Sequence, residues 1–287
     1  MKTEINAPAK INLFLEITGK QQNGYHTLDM IMQSVSLCDK LSVEVTDGSG
    51  RITMSCDDDA VPLGETNTAY KAAFLFLESI GCTDRDVYVD IKKNIPSQAG
   101  LAGGSADAAA VLVSLNRLFD SPLDTAELCT IGERVGADVP FCICGGTMLA
   151  SGTGTTLYRL KSMPQCSIVI IKPDVSVSTA EAYKRSDEVK SMDRKSSEAM
   201  LMAIKQNDLS ALCREVYNRF EEVMSLSEID RVKQELLQRG ALTACMTGSG
   251  SAVFGIFDNR AAAEKCCEEL KNDYPTVSLC VPTDGEW

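Results

Sequence analysis

Histidine is nearly absent from this chain: His26 alone occurs in 287 residues, and the 12 cysteines include no C-x-x-C. Cys142-x-Cys144 and the adjacent Cys266 and Cys267 are the only close sets, so neither a zinc site nor a disulfide framework has the spacing it needs. The cysteines are expected to be reduced, mostly buried thiols of a cytoplasmic protein. Basic residues are scarce as well, with 28 Lys and Arg against 40 Asp and Glu and a formal charge of −12. That balance excludes the basic stripe of a nucleic-acid or anionic-membrane surface, but leaves local phosphate binding open. No uninterrupted apolar run approaches the roughly 18 residues of a membrane span, and no signal peptide is expected ahead of Lys10. Internal repeats and long linkers are missing too.

What is present suits a soluble globular protein. Hydrophobic residues make up 44% of the chain, enough for a substantial core in one large domain or two ordinary ones. Ile11, Leu13, Leu15 and Ile17 alternate with Asn12, Phe14 and Glu16, which predicts a half-buried strand ending at Gly19. Strand-like runs follow at Leu41 to Val45 and Val87 to Ile91. Asn67 opens an amphipathic helix with Ala69, Ala72, Ala73, Phe76 and Ile80 inward, and Ala126 to Val135 predicts a shorter one. In the second half, Ser167 to Lys172 reads as a buried strand. Helices are expected around Glu198 to Ile204, along Leu209, Leu212, Val216, Phe220 and Val223, and over Ile229 to Gln238. Thr243 to Thr247 and Ala252 to Phe257 pair around a Gly-Ser-Gly turn, and the charged segment Ser186 to Ser197 reads as a mobile loop. Strands and helices mixed without strict alternation give an α+β class.

The most informative stretch runs from Pro96 through Gly100, Leu101, Ala102, Gly103, Gly104 and Ser105 into a helix carrying Ala108, Leu112, Leu115 and Phe119 on one face. A glycine-rich loop feeding a helix N-terminus presents unpaired N–H groups and the positive end of the helix dipole to a phosphate. It is neither G-x-x-x-x-G-K-[ST] nor G-x-G-x-x-G, since no lysine follows Gly104 and Ala102 interrupts the second pattern. Taken alone, it reads equally as a tight turn with Ser105 as helix N-cap.

Two further segments, Ala7-Pro8-Ala9-Lys10-Ile11-Asn12-Leu13 and Met246-Thr247-Gly248-Ser249-Gly250, join that loop in the right order. Together the three resemble the GHMP kinase superfamily. Asn23-Gly24-Tyr25-His26, Gly136-Ala137-Asp138-Val139-Pro140 and Pro173 to Thr179 resemble the branch that acts on 4-diphosphocytidyl-2-C-methyl-D-erythritol. The resemblance covers nearly the whole chain. It implies a two-domain fold, with residues 1–156 like ribosomal protein S5 domain 2 and residues 157–287 ferredoxin-like, and an active site between them. It also implies ATP and Mg²⁺, a cytidine diphosphate-linked small molecule as substrate, and phosphorylation of that substrate's 2-hydroxyl on the non-mevalonate route to isoprenoid precursors. Monomer and homodimer both remain open, because no apolar stripe is distinguishable from core.

By the same resemblance, Lys10 and Asp138 are the catalytic pair, and the carboxylate takes or orients the proton of the accepting hydroxyl. Taken alone, Lys10 is an edge charge and Asp138 a turn cap. The loop from Gly100 to Ser105, with Pro96, would hold the ATP phosphates. Ser105 is either the cap or a hydroxyl in the phosphate–metal assembly, and Asn67 either a cap or a neighbour of the nucleotide base. Asn12 would touch substrate beside Lys10. Tyr25, His26 and Tyr183 would hold the cytosine between aromatic faces with His26 at its edge. Gly248 and Ser249 are either a hairpin turn or donors to the substrate phosphates. One departure stands out: Thr155 follows Gly152-Thr153-Gly154 where the family usually has an acid. A homoserine- or mevalonate-type kinase, or a binding protein that has lost catalysis, are the rival readings. Tyr25, His26 and Tyr183 weigh against the first, and retention of Lys10 with Asp138 against the second.

Overall fold

The computed structural model describes residues 1–22, 24–189, 194–224, 226–285 and 287. Asn23 of the Asn-Gly-Tyr-His motif and residues 190–193 of the expected loop lie outside the described residues. The chain opens with two long strands, β1 (Lys2–Lys20) and β2 (His26–Asp47), followed by β3 (Ile52–Cys56), α1 (Thr68–Ser79), β4 (Arg85–Lys92) and α2 (Gly103–Leu118). Next come α3 (Thr125–Val135), α4 (Val139–Cys144), β5 (Thr147–Gly152) and β6 (Thr156–Arg159). The rest is β7 (Ser167–Lys172), α5 (Thr179–Glu188), α6 (Glu198–Gln206), α7 (Leu209–Glu215), β8 (Tyr217–Asn218), α8 (Arg219–Val223), α9 (Ser227–Gln238), β9 (Thr243–Met246), β10 (Val253–Phe257), α10 (Arg260–Leu270) and β11 (Thr276–Cys280).

Among the described residues the first sheet has seven strands, ordered β3-β4-β2-β1-β8, with β5 on β2 and β6 on β5. β1 and β2 pair antiparallel along nearly their whole length, and the register slips between Pro8 and Lys10 and between Asn12 and Phe14. Proline has no ladder N–H to give, and a bulge there re-aims the side chains that follow. Ala9 to Leu15 is buried without a break as a result, where strict alternation predicted a half-exposed strand. The central helix is α2, set against β1 and β2 and flanked by α1, α3 and α4. Every residue from Ala106 to Asn116 is buried, which its run of Ala, Val and Leu allows on all sides.

The second sheet is antiparallel, ordered β11-β7-β10-β9, with α9 and α10 packed on it. Taking its strands in chain order, the sequence across the sheet is four, one, three, two, the ferredoxin-like arrangement. Phe14, Phe76, Phe141, Phe220, Phe254 and Phe257 are fully enclosed across the two halves. Each such side chain is worth about 1.5–3 kcal/mol of burial.

Three expectations need correction. The helix expected from Leu209 through Val223 is broken: α7 ends at Glu215, and Tyr217 and Asn218 pair in parallel with Phe14 and Leu15 before α8 begins. Ser105 is not an N-cap. Gly103 and Gly104 are already helical, and Ala102 holds the cap position with φ +59° and no side-chain cap bond. Asn67 does cap α1, accepting from Ala69 N at 2.7 Å. Of the expected loop, residues 186–188 are the last turn of α5.

Candidate active site

The residues of the glycine-rich loop line a cavity of about 1050 Å³. The loop is pinned from three sides. Lys10 N donates to Leu101 O at 3.1 Å, Ala252 N donates to Ala99 O at 3.1 Å, and Thr68 Oγ1 donates to Gly104 O at 2.7 Å. Gly100 has φ +75°, and a Cβ there would lie 2.1 Å from Thr247 O, so only glycine lets the loop meet the late turn. Ala102 takes a left-handed backbone without being glycine, which turns the chain into α2. The first N–H groups of α2 have no partner within the helix and carry its positive dipole end, as an anion site requires. Ser105 lies in that first turn on the cavity wall.

Lys10 enters the same cavity from β1 and is almost wholly buried. Its Nζ donates to Asn12 Oδ1 at 2.7 Å and lies 3.8 Å from Asp138 Oδ2. Asp138 precedes α4 but makes no cap bond, so its carboxylate is not used as a turn cap. Regular pairing with β2 from Lys10 to Asn12 puts these two side chains on one face of the strand, and Asn12 N donates to Thr247 Oγ1 at 3.0 Å. A cation, a carboxamide and a carboxylate thus meet beside the glycine-rich loop. Gly248 has φ +55°, and a Cβ on it would come within 3.4 Å of Lys10 Nζ. Ser249 is tied to α5 through Thr179 Oγ1 at 2.7 Å.

The other end of the cavity is aromatic. His26 and Tyr183 stack with ring centroids 4.6 Å apart and planes 19° from parallel, and Phe220 meets Tyr183 edge-on at 5.0 Å. Burial, with the charge of Asp138 adding, pushes the Tyr183 phenol up to about 12. His26 Nε2 is 2.7 Å from Asp187 Oδ1, a partner that Lys20 also binds at 2.5 Å. Tyr25 is exposed at the rim. Lys10, Asn12, Tyr25, His26, Pro96, Gly100 to Ser105, Asp138, Tyr183, Gly248 and Ser249 therefore share one cavity. Asn67 does not line it, and its carboxamide is occupied by Ala69 N and by Pro62 O at 2.7 Å.

Several residues around the site gave no sequence signal. Lys93 lines the cavity and is gripped by two buried carboxylates, Asp39 and Asp107, the latter at 2.7 Å. Desolvation outweighs the lysine's pull and lifts the Asp107 carboxyl to about 7. Glu16, fully buried, accepts from Arg219 Nε at 2.7 Å and Nη2 at 2.6 Å. Asn218 donates to Met246 O at 2.7 Å and Gly248 O at 2.8 Å, so it holds the late turn. All three connections join residues far apart in the chain, where no local pattern reports them.

The chain matches the GHMP kinases N terminal domain over residues 67–146 and the GHMP kinases C terminal family over residues 200–276. A 4-diphosphocytidyl-2-C-methyl-D-erythritol kinase of Acetivibrio thermocellus is 45% identical over 270 residues, 93% of this chain and 94% of the relative. One of Clostridium botulinum (strain Eklund 17B / Type B) is 41% identical over 277 residues, 96% of this chain and 98% of the relative. The chain belongs to the 4-diphosphocytidyl-2-C-methyl-D-erythritol kinase family of GHMP kinases. The crystal structure of a 4-(cytidine 5'-diphospho)-2C-methyl-D-erythritol kinase superposes with a TM-score of 0.83 at 30% identity, covering 98% of this chain and 99% of that one. The α+β GHMP kinase architecture expected for this kinase is the one observed. No helix among the described residues is long and apolar enough to cross a membrane.

Proposed function

We propose that this kinase transfers the γ-phosphoryl group of ATP to the 2-hydroxyl of 4-diphosphocytidyl-2-C-methyl-D-erythritol, in the cytoplasm, on the non-mevalonate route to isoprenoid precursors. The observation that carries this reading is the meeting of Lys10, Asn12 and Asp138 beside the glycine-rich loop in one cavity. We read residues 1–156 as the ATP-binding lobe with the catalytic pair, and residues 157–287 as the substrate side.

Phosphoryl transfer through a loose transition state needs positioning and charge compensation more than strong base. The N–H groups at the start of α2 face the phosphates, and Asp138 accepts or orients the proton of the attacking hydroxyl. Lys10 Nζ offsets charge on the transferring group while Asn12 fixes its aim. The aromatic end, with Tyr183 and His26 stacked and Tyr25 at the rim, receives the cytosine. Their direct stacking at 4.6 Å leaves no room for a base between these two rings, so the base is received on an outer face of the pair.

Among the described residues no group of three or more His, Cys, Asp and Glu could hold a metal. A Mg²⁺ held largely by nucleotide phosphates and water needs fewer protein ligands, and the Ser105 hydroxyl and Asp138 on the cavity wall fit that mode. Bound there, the ion would neutralise phosphate charge. Thr155 supplies no carboxylate for it.

The test is ADP release by the purified protein with ATP and Mg²⁺. Turnover should require 4-diphosphocytidyl-2-C-methyl-D-erythritol. Activity with homoserine or mevalonate instead would refute the substrate assignment.

A further inference from the structure

Two thiols that phosphoryl transfer does not use meet where α3 packs on α4. Cys129 Sγ lies 3.7 Å from Cys144 Sγ and 3.8 Å from Pro140 O. Both residues are half-buried free cysteines, close enough to the surface for a small reagent to reach. The remaining cysteines offer no comparable pair. Cys142, Cys245 and Cys280 are buried, with thiols pushed up by desolvation, and Cys266 and Cys267 are both raised to about 11. Cys144 goes the other way. The hydrogen bond from Cys129, helped by the Arg159 guanidinium and opposed by burial, lowers its thiol to about 7, while the same pairing and burial push Cys129 up. Cys144, beside the Arg159 guanidinium that reaches its carbonyl at 2.6 Å, is the thiol placed to ionise first, with Cys129 the neighbour that follows.

The geometry points to a redox-modifiable dithiol at Cys129 and Cys144, which a low-molecular-weight disulfide such as oxidised glutathione converts to an intramolecular disulfide. The Cys144 thiolate attacks one sulfur of the oxidant, forms a mixed disulfide and expels one glutathione thiolate. Cys129 then loses its proton and attacks the Cys144 sulfur, expelling the second glutathione thiolate. Two protein thiols give up two electrons and two protons, and the oxidant becomes two thiols.

The link would act on the active site through α4. This helix is six residues long and starts directly after Asp138. Its other end carries Cys144, and its first turn is wedged against α3, where a Cβ on Gly132 would lie 3.0 Å from Val139 Cγ1. Bond formation draws the sulfurs together to about 2.05 Å, an approach of roughly 1.7 Å shared between rotation of the two side chains and a shift of α3 against α4. A shift of α4 would change the 3.8 Å spacing of Asp138 and Lys10, since Asp138 directly precedes the helix. A misplacement on the order of 1 Å at a reacting group costs roughly 10²-fold in rate.

The test incubates the full chain with oxidised glutathione and digests it with trypsin without reduction. The expected product joins the peptide 118–134 to 135–159, with fragmentation placing the bond on Cys144 and not on Cys142. Kinase activity should fall in step with the bond and return with dithiothreitol. Cys129→Ser and Cys144→Ser should keep basal activity and lose the sensitivity, with Cys144→Ala as a second variant should the serine disturb folding. Absence of the joined peptide, or its formation through Cys142, would overturn the site. A joined peptide with unchanged activity would overturn its coupling to Asp138. The mass readout stands whether or not the proposed substrate is right.

Discussion

Lys10 Nζ and Asp138 Oδ2 face each other at 3.8 Å, the lysine buried and the carboxylate about one-third exposed to the cavity. The gap is too long for a direct hydrogen bond and short enough for the two opposite charges to attract each other. A hydroxyl entering beside Asp138 would find an acceptor and a cation together. Asp138→Asn keeps shape and removes the acceptor, so kcat should fall by roughly 10²–10⁴-fold. Steady-state kinetics beside a thermal melt checks this: kcat drops while Tm stays put.

Tyr183 should govern the cytidine substrate and leave ATP alone. Its ring stacks on His26 and is backed by Phe220. A base stacked on such a platform gains about 1–3 kcal/mol. Tyr183→Leu should therefore raise KM for the cytidine diphosphate-linked substrate by roughly 5- to 150-fold on that figure. KM for ATP, measured in the same assay, should change little.

The glycine-rich loop holds a test of backbone strain in two directions. Ala102 sits at φ +59°, where a side chain costs about 1–2 kcal/mol relative to glycine. Ala102→Gly should gain on the order of 1 kcal/mol in denaturant unfolding. Gly100→Ala should lose stability and ATP affinity together, because its new methyl meets the Thr247 carbonyl.

Arg219 neutralises Glu16 at a fully buried position. Removing one partner of such a pair leaves an uncompensated charge and costs about 3–5 kcal/mol. Arg219→Met should show a loss of that size in urea unfolding. Pairing it with Glu16→Gln should recover much of it.

Asp107 gives the pH dependence a definite sign. Burial lifts its carboxyl from 3.8 to about 7, so the folded chain holds this proton more tightly than the unfolded one. Its stabilising contribution is complete below the unfolded value and is withdrawn as pH rises through about 7. Asp107→Asn should flatten that decline between pH 4 and 8, seen as a smaller fall in Tm across a series of buffers.

Contiguous motifs were legible before the fold. The glycine-rich loop, Lys10 with Asn12, and Asp138 each sit in a short segment whose chemistry is local, and one cavity holds them all. The helix expected along Leu209 to Val223 failed for a physical reason. The apolar spacing continues through Val216 at helical period, but pairing of Tyr217 and Asn218 with β1 overrides it. Ser105 was misplaced because two glycines at the start of a helix run against propensity, and the loop accepts that cost to bring backbone N–H groups forward. Glu16 with Arg219 and Lys93 with Asp39 were invisible, since each pairing joins distant segments.

The two-residue strand β8 makes the halves of this enzyme poor candidates for exchange between relatives. Tyr217 and Asn218 belong by chain position to the C-terminal half and by hydrogen bonding to the first sheet, and Asn218 then reaches back to Gly248. A chimera joined near residue 157 would graft a foreign edge strand onto β1 and re-seat the late turn in one stroke. The seam along which such a protein can be recombined runs through the sheet, not across the chain near residue 157.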